Sequence, residues 1–220
     1  MQIPFSTDMP ALVPTQTPTA TAAPQAPERP QRADARRNRE RVLEAARVCM
    51  ARAGIDAQIE EIARTAGVGV GTVYRHFPTK DDLVEALAQA RFERLAELAR
   101  TALANDDSWG AFDSFMRDSA RIQSEDRALS EVLTSRPETM SRAAERVDML
   151  ALVGELMQRG KRAGAIRKDA DPLDVPMLMC ALAGTYRNPY ANPERYVGIV
   201  LDGLRASADK RAKLPPVAAG

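Results

Sequence analysis

The segment from Ile62 to Val73 constrains the fold of this chain more than any other stretch of its sequence. Ala63 places a small side chain where two short helices must approach each other. Gly67 follows four residues later, where the turn between such helices needs a backbone angle that a side chain opposes. Val73, six residues further on, is a branched apolar residue that can pack the second helix against the first. This spacing predicts a tight helix-turn-helix, and the alternative is a helical hairpin inside a bundle.

Amphipathic periodicity around this segment predicts four helices in the first part of the chain. Apolar residues recur at spacings of three and four from about Arg36 to Gly54, and the glycine is expected to end the first helix. The second helix is expected to end at Gly67, and the third to run from about Val70 to Phe77, where Pro78 closes it. Thr79 is suited to cap a fourth helix, because its hydroxyl can accept a backbone hydrogen bond and two acids follow in the first turn.

The remaining residues also carry helical periodicity. Apolar stripes mark the regions Trp109–Met116 and Leu129–Leu133, and a long helix is predicted from about Pro137 to Arg162. The pairs Asp171-Pro172 and Asn192-Pro193 each place a capping residue before a proline suited to the first helical position. Strand alternation and internal repeats are absent from the sequence, and aromatic residues make up only 5% of it. We therefore predict an all-α fold.

Composition suggests how the chain divides into parts. Residues 1–31 contain seven of the fifteen prolines, mixed with Thr, Ala and Gln, so we expect a disordered or extended tail. We predict a helix-turn-helix domain at 32–82, a second helical domain at 83–208, and a flexible tail at 209–220. The sequence shows no secretion signal and no apolar run of membrane length, which favours a cytoplasmic protein without a membrane partner.

Charge is distributed unevenly along the chain. Between Glu28 and Lys80 eleven basic residues face seven acidic ones, which gives this segment a charge of +4, whereas the whole chain carries only +1. A basic front and an acidic back indicate that the front meets a polyanion, although solvated helix faces also carry such charges.

Catalytic and metal-binding classes fit this sequence poorly. The single histidine, His76, lies in the third predicted helix, and the two cysteines, Cys49 and Cys180, have no partner at metal-ligand spacing. We therefore expect no metal, no cofactor and no enzymatic activity, and we interpret both thiols as small buried side chains. A helical small-molecule enzyme or carrier is the alternative from a different functional class.

The sequence GVGVGTVYRHFPTKDDL, from Gly67 to Leu83, resembles the signature of the tetracycline-repressor (TetR-type) family. The resemblance extends from about Arg37 to Leu87, and its aromatic-rich ending is the most specific part. It implies an all-helical homodimer in which residues 32–82 form the DNA-binding domain and residues 83–208 form a helical effector-binding and dimerisation domain. Two positions depart from the common pattern, because Gln58 replaces a Thr or Ser, and Gly69 and Val70 replace Ser-Lys after the turn.

The third helix supplies the candidate reading residues. Thr72 can bond a phosphate or offer its methyl group to thymine, and Gly71 permits close approach of the backbone. Tyr74 and His76 are similar to the phosphate-contacting aromatics of the family, whereas a packed or capping role is the alternative for His76. Arg75 is suited to reach a base edge or a phosphate.

Residues on both sides of that helix complete the candidate DNA surface. Three arginines at the start of the first predicted helix, Arg36, Arg37 and Arg39, form an arm able to touch the DNA backbone or the minor groove. Lys80 is expected to hold a phosphate together with the N-terminal amides of the fourth helix. Phe77 is interpreted as a core residue rather than a contact. The full set of predicted DNA-binding residues is Arg36, Arg37, Arg39, Gln58, Val70, Gly71, Thr72, Tyr74, Arg75, His76 and Lys80.

The C-terminal part is rich in methionine, which suits an adaptable pocket but also serves as ordinary core filler. The methionines concerned are Met140, Met149, Met157, Met177 and Met179. The candidate ligand-binding residues are Trp109, Phe112, Phe115, Met116, Arg117, Arg121, Met149, Leu152, Val153, Leu156, Met177 and Cys180. For Arg117 and Arg121 a solvated role is the alternative.

These features together indicate a sequence-specific DNA-binding regulator. The leading hypothesis is a homodimeric repressor of a near-palindromic operator on double-stranded DNA, released when a small organic effector binds. An activator or a ligand-independent DNA-binding protein is the alternative within the same class.

Overall fold

A computed structural model describes residues 29–185, 188, 190, 192–206 and 214. The regular secondary structure of the described residues is helical, apart from an isolated antiparallel bridge between Ile166 and Arg205. Its helices are α1 Arg29–Ala53, α2 Ile59–Ala66, α3 Val70–His76, α4 Lys80–Leu103, α5 Ser108–Glu125, α6 Arg127–Thr134, α7 Pro137–Glu145, α8 Met149–Arg162, α9 Asp174–Thr185 and α10 Pro193–Leu204, with a 3-10 turn at Gly54–Asp56. The prediction of an all-α fold is confirmed.

The N-terminal helices pack around one apolar core. Val42, Ala46 and Met50 of α1 are almost fully buried, as are Ile62 of α2 and Val73 of α3. The three α1 residues recur at a spacing of four, so one face of the helix packs over the helix-turn-helix. The predicted role of Phe77 as a core residue is confirmed, since the residue is 3% exposed.

The turn between α2 and α3 depends on Gly67. Its φ is +64°, in the left-handed region, and the amide of Val68 donates to the carbonyl of Ala63 at 3.0 Å. This arrangement satisfies a carbonyl that the end of α2 would otherwise leave unpaired. The glycine predicted from the spacing is therefore where the backbone requires it.

The fourth helix, α4, extends from the head into the rest of the molecule. It begins with the predicted cap, since the Thr79 hydroxyl accepts from the Asp82 amide at 3.1 Å and the Asp82 carboxylate accepts from the Thr79 amide at 2.9 Å. Further along α4, the ring of Phe92 packs against both apolar cores of the described chain. The helix therefore connects the two parts mechanically.

The second apolar core lies among α4, α5, α8, α9 and α10. Its largest fully buried side chains include Phe112 and Met116 of α5, Leu156 and Met157 of α8, and Leu201 of α10. The apolar stripes of α5, α8 and α10 therefore converge on this core.

Three predicted helix boundaries were wrong: the start of α1, the continuity of the helix from Pro137 to Arg162, and the start of α9. Helix α1 begins at Arg29 rather than near Arg36, while the rest of the predicted tail, residues 1–28, and most of 209–220 lie outside the described residues. The predicted helix from Pro137 to Arg162 is two helices, because Asp148 adopts a φ of +51° between α7 and α8. Aspartate is one of the few residues that tolerate this conformation, which is why periodicity did not reveal the break.

The other proline-based boundaries divide between a confirmation and a correction. Asn192 caps α10 as predicted, with its side-chain oxygen accepting from the Arg195 amide at 3.1 Å. By contrast, α9 begins at Asp174 and not at Pro172. The Asp171 carboxylate accepts from the Leu173 amide at 2.9 Å, and the Asp174 carboxylate accepts from the Asp171 amide at 2.7 Å, so a short turn precedes the helix.

Membrane-spanning helices and metal-ion clusters are both absent among the described residues. None of the described helices is both long enough and apolar enough to cross a membrane. Likewise, His, Cys, Asp and Glu side chains do not gather there in groups of three that could hold a metal ion.

Candidate DNA-binding surface and effector cavity

Helix α3 presents one face to solvent and buries the other. Val73 is fully buried, whereas Gly71, Tyr74 and Arg75 are exposed, and the Tyr74 residue is 47% exposed. Residues three and four positions apart lie on one side of a helix, so these three form a single outward surface. Thr72 lies beside them, half-buried.

Two side chains of α3 have partners on the same helix or next to it. Arg75 Nε donates to the carbonyl oxygen of Gly71 at 3.2 Å, which lays the guanidinium along the exposed face. The ring of His76 is half-buried and lies 6.2 Å from the ring of Phe77. His76 therefore packs against Phe77 and keeps part of its ring open to solvent. This position fits both a phosphate contact and the alternative packed role.

The three arginines predicted to form an arm for DNA lie within helix α1. Arg36 pairs with Glu40 at 3.5 Å and Arg37 with Asp34 at 2.6 Å, and all four side chains are mostly exposed. Exposed ion pairs of this kind are weak, so a phosphate can replace the carboxylates. The guanidinium of Arg39 lies 5.3 Å from the centre of the Phe77 ring, which brings the arm up to the end of α3.

The remaining predicted DNA contacts surround α3. Lys80 is half-buried in the first turn of α4, next to the Thr79–Asp82 cap that already uses two backbone amides there. Gln58 is exposed and precedes α2, but its side chain donates to the carbonyl of Asp56 at 2.7 Å instead of capping the helix. Val70 begins α3 and packs partly against the head core.

A cavity of about 590 Å³ lies between α4, α5, α6, α7, α8 and α9. Its volume is typical of a site for a small organic molecule. Five of the predicted ligand-binding residues lie on its wall: Phe115, Met149, Val153, Met177 and Cys180. Two more methionines from the sequence analysis, Met140 and Met179, also line it, whereas Met157 is core.

The other predicted ligand-binding residues do not border this cavity, so the prediction that they line it was wrong. Phe112, Met116 and Leu156 are fully buried in the core, and Leu152 packs against that core. The ring of Trp109 lies under the Arg205 guanidinium, 4.7 Å away.

Arg117 and Arg121 lie on the exposed side of α5. Arg117 donates to Asp113 at 2.8 Å, and Arg121 pairs with Asp118 and Glu125 at 3.0 Å. The hydrogen bonds that the two guanidinium groups donate to these acids raise the pKa of both arginines. Their solvated role, given as the alternative, is the one observed.

Sequence reasoning missed the polar part of the cavity. Arg91 of α4 is only 8% exposed and donates to the Ser130 hydroxyl of α6 at 2.8 Å. Ser119 and Gln123 of α5 line the same cavity, and the buried oxygens Ser119 Oγ and Gln123 Oε1 have no hydrogen-bond partner. A signal existed, because these two polar residues follow Phe115 at helical spacing on an otherwise apolar face.

The two cysteines differ in their surroundings. Cys49 is buried in the head core, with its sulfur 3.5 Å from the Thr65 hydroxyl. Cys180 is half-buried on the cavity wall, where burial raises the pKa of its thiol and the positive charge of Arg91 opposes that rise. The expectation of two fully buried thiols therefore holds for Cys49 only.

Both parts of the chain match known protein families. Residues 42–87 match the model of bacterial regulatory proteins of the tetR family, and residues 107–206 match the C-terminal domain of SbtR-like transcriptional regulators. Over 173 residues the chain is 31% identical to HTH-type transcriptional repressor Rv1474c of Mycobacterium tuberculosis, an alignment covering 76% of this chain and 80% of that relative.

Solved structures give the same result. The TetR transcription regulatory protein from Mycobacterium vanbaalenii is similar with a TM-score of 0.60 and 42% identity, covering 80% of this chain and 99% of that one. The TetR regulator SCO0520 from Streptomyces coelicolor is similar with a TM-score of 0.61 and 30% identity, covering 77% and 99%. The helix-turn-helix geometry and these relationships lead to one conclusion: the chain belongs to the TetR family of DNA-binding transcriptional regulators.

Proposed function

We propose that this regulator is a homodimeric repressor that leaves a near-palindromic operator when a small organic effector fills the cavity among α4–α9. The observation that carries the proposal is the position of α6, which lies between the cavity and the DNA-binding head. Leu129, Val132 and Leu133 of α6 belong to the head core. Ser130, Leu133 and Thr134 of the same helix border the cavity.

Polar links reinforce the connection between the head and the helices around the cavity. Arg47 of α1 donates to the buried Asp126 carboxylate, immediately before α6, at 2.8 Å. Arg146, just after α7, pairs with Glu85 of α4 at 2.6 Å, and Arg136 pairs with Asp81. A ligand that moves α6 or α7 therefore changes the orientation of α1 and of the first turns of α4, and with them the reading helix.

Exposed apolar residues on the last two helices support self-association. Met177, Ala181 and Gly184 lie at helical spacing on the outer side of α9, and Met177 is 62% exposed. On the neighbouring α10, Ile199 is 57% exposed. Pairing this surface with the same surface of a second copy would remove apolar area from water and form a two-fold interface.

A dimer also suits the single reading helix of each chain. One α3 per chain reads a short half-site, so two chains related by a two-fold axis would read half-sites about 34–36 Å apart, one helical turn of DNA. The relative from Mycobacterium tuberculosis is named a transcriptional repressor, which favours repression over activation for this chain.

The experiment measures binding of the full chain to the DNA upstream of its own gene, by gel shift and fluorescence anisotropy. We expect saturable binding to a near-palindrome, weak binding to a half-site, and a dimer in light scattering. Ile199→Asp should give monomers and weaken operator binding, whereas Thr101→Asp, on the exposed side of α4, should change neither. A monomeric wild-type protein with full affinity for a half-site would contradict the proposal.

A further inference from the structure

We infer that the cavity takes an amphipathic carboxylate, an apolar body ending in an acid group held at Arg91, Ser119 and Gln123. This inference rests on the proposed function of the cavity as the effector site and names the chemical class of the effector. Most of its wall is apolar, from Phe92 and Leu95 of α4 to the methionines of α8 and α9. A ligand with a long apolar part is therefore needed to fill it.

The polar groups of the wall select the other end of the ligand. Arg91 is positively charged and only 8% exposed. Among the described residues on this wall it is the only cationic side chain. A buried cation attracts an anion strongly because little water screens it. It repels an ammonium group for the same reason.

Two buried atoms on the same cavity wall need a partner. Ser119 is 5% exposed and its hydroxyl has no hydrogen-bond partner, and Gln123 lies one helical turn further along α5 with its side-chain oxygen unpaired. Buried polar groups without partners are unfavourable, so a ligand that supplies partners gains affinity. A carboxylate can accept from the Ser119 hydroxyl, and from the Gln123 amide nitrogen after its side chain turns over.

The acids on the wall do not oppose this assignment. Glu145 ends α7 and Asp148 lies in the connection to α8, and both residues are exposed. Water and salt screen exposed charges, whereas the charge of Arg91 acts inside the protein.

The test uses four probes with the same apolar chain: dodecanoate, dodecanamide, dodecanol and dodecylammonium. Binding to the full chain is measured by calorimetry without DNA, at concentrations below micelle formation. A second readout is protection of Cys180 from N-ethylmaleimide, with the buried Cys49 as the internal control. We expect dodecanoate to bind about tenfold or more tightly than the two neutral probes, and dodecylammonium to bind most weakly.

Variants assign the preference to the named residues. Arg91→Met should reduce the ratio between dodecanoate and dodecanamide to about one while leaving dodecanol binding similar, because only the charge is lost. Ser119→Ala removes a hydroxyl without a partner, so the fold should be retained while dodecanoate binding weakens about fivefold. Leu98→Met, at a half-buried core position of α4 outside the cavity wall, is the matched control.

Equal binding of the four probes, or a preference for dodecylammonium, would overturn the inference. If Arg91→Met does not fold, Ser119→Ala and Gln123→Met decide it, and unchanged dodecanoate affinity in both would overturn it as well. A different result would contradict the proposed function and leave this inference intact. In that case dodecanoate binds with the expected preference, but neither it nor any other probe releases the upstream DNA.

Discussion

Two glycines, Gly67 and Gly71, lie four positions apart in sequence, and only the first adopts a backbone conformation that favours glycine. Gly67 adopts a φ of +64°, and a Cβ there would come within 2.6 Å of an Arg41 guanidinium nitrogen. Gly71 lies in the regular helix α3, and a Cβ there would meet no atom within 4 Å. The first glycine is required by the turn, and the second leaves the exposed surface of α3 flat.

Alanine at each position separates folding from DNA binding. Gly67→Ala should lower the free energy of unfolding by about 1–2 kcal/mol, because alanine resists the left-handed region. Gly71→Ala should raise it by about 0.5–1 kcal/mol through helix propensity, yet weaken operator binding because a methyl group keeps the DNA away from the backbone. Urea denaturation and fluorescence anisotropy measure the two effects. Full operator affinity in Gly71→Ala would remove the role proposed for that glycine.

The exposed side chains of the head should divide between base reading and phosphate contact. Thr72→Ala should change base preference, whereas Arg37→Ala should weaken specific and non-specific DNA equally, because a phosphate contact carries no sequence information. Tyr74→Phe removes a hydroxyl from a ring that is 47% exposed, so it tests a phosphate bond without disturbing the core. Anisotropy titrations with operator and scrambled duplexes measure all three. Unchanged binding in three folded variants would move the reading surface elsewhere.

At the scale of elements, the junction between α5 and α6 connects the cavity helices with the head. Asp126 ends one helix and precedes the other, is 7% exposed, and accepts from Arg47 of α1. Arg47 donates hydrogen bonds to the carboxylates of Glu44 and Asp126, which raises the pKa of Arg47, and its hydrogen bonds to Glu44 lower the pKa of that carboxyl group. The link therefore joins two charged partners, one of which is largely removed from water.

Breaking this link should both destabilise the protein and loosen the coupling between its parts. Arg47→Met leaves the Asp126 carboxylate buried without its partner, so we expect a loss of about 1–3 kcal/mol in urea denaturation. Operator release by a bound effector should also become weaker. Arg100→Met is the matched control, because its pair with Glu97 is exposed on α4 at 3.6 Å and should contribute less than about 1 kcal/mol. Equal losses in the two variants would contradict the special role of the link.

At the scale of the whole molecule, a basic head is joined to an acidic remainder. The segment from Glu28 to Lys80 carries a charge of +4 within a chain of net charge +1. The contact of Arg39 with Phe77 places the arginines of α1 near the end of α3. Association with DNA should therefore depend on the head and on counterion release. The helices around the cavity should contribute to affinity mainly by holding two heads at one spacing.

This charge distribution predicts a steep dependence of operator binding on salt. With six or more phosphates neutralised by the dimer, affinity should fall roughly a thousandfold between about 50 and 200 mM salt. Replacing Arg37 with alanine should reduce the slope of the logarithmic plot by about one unit for each phosphate lost. Anisotropy titrations at several salt concentrations measure the slope. An operator affinity that does not change with salt concentration would rule out binding dominated by contacts with the DNA phosphates.

The head could be predicted from sequence because its determinants are local. Ala63, Gly67 and Val73 specify a turn by steric rules that act within twelve residues, and the Thr79 cap depends on a residue only three positions away. The periodicity of α1 also identified the face that is buried. Its start at Arg29 was missed, because no capping or apolar signal marks that end.

The cavity was predicted only in part, because α5 is covered on several sides. Phe112 and Met116 point into the core while Phe115 and Ser119 line the cavity, although all four belong to one short stretch of sequence. A helix in contact with α4, α8, α9 and α10 buries residues in more than one direction, so periodicity does not tell which face meets an empty space.

The amino-acid sequence alone thus determined the helical class, the helix-turn-helix and the candidate reading surface, since short-range periodicity and turn stereochemistry specify them. The tertiary structure decided what depends on distant residues meeting: the break at Asp148, the cavity wall, and the contact of Arg91 with Ser130, thirty-nine positions apart. A buried arginine is recognisable as part of a binding site only once the fold has placed unpaired polar atoms and apolar walls around it.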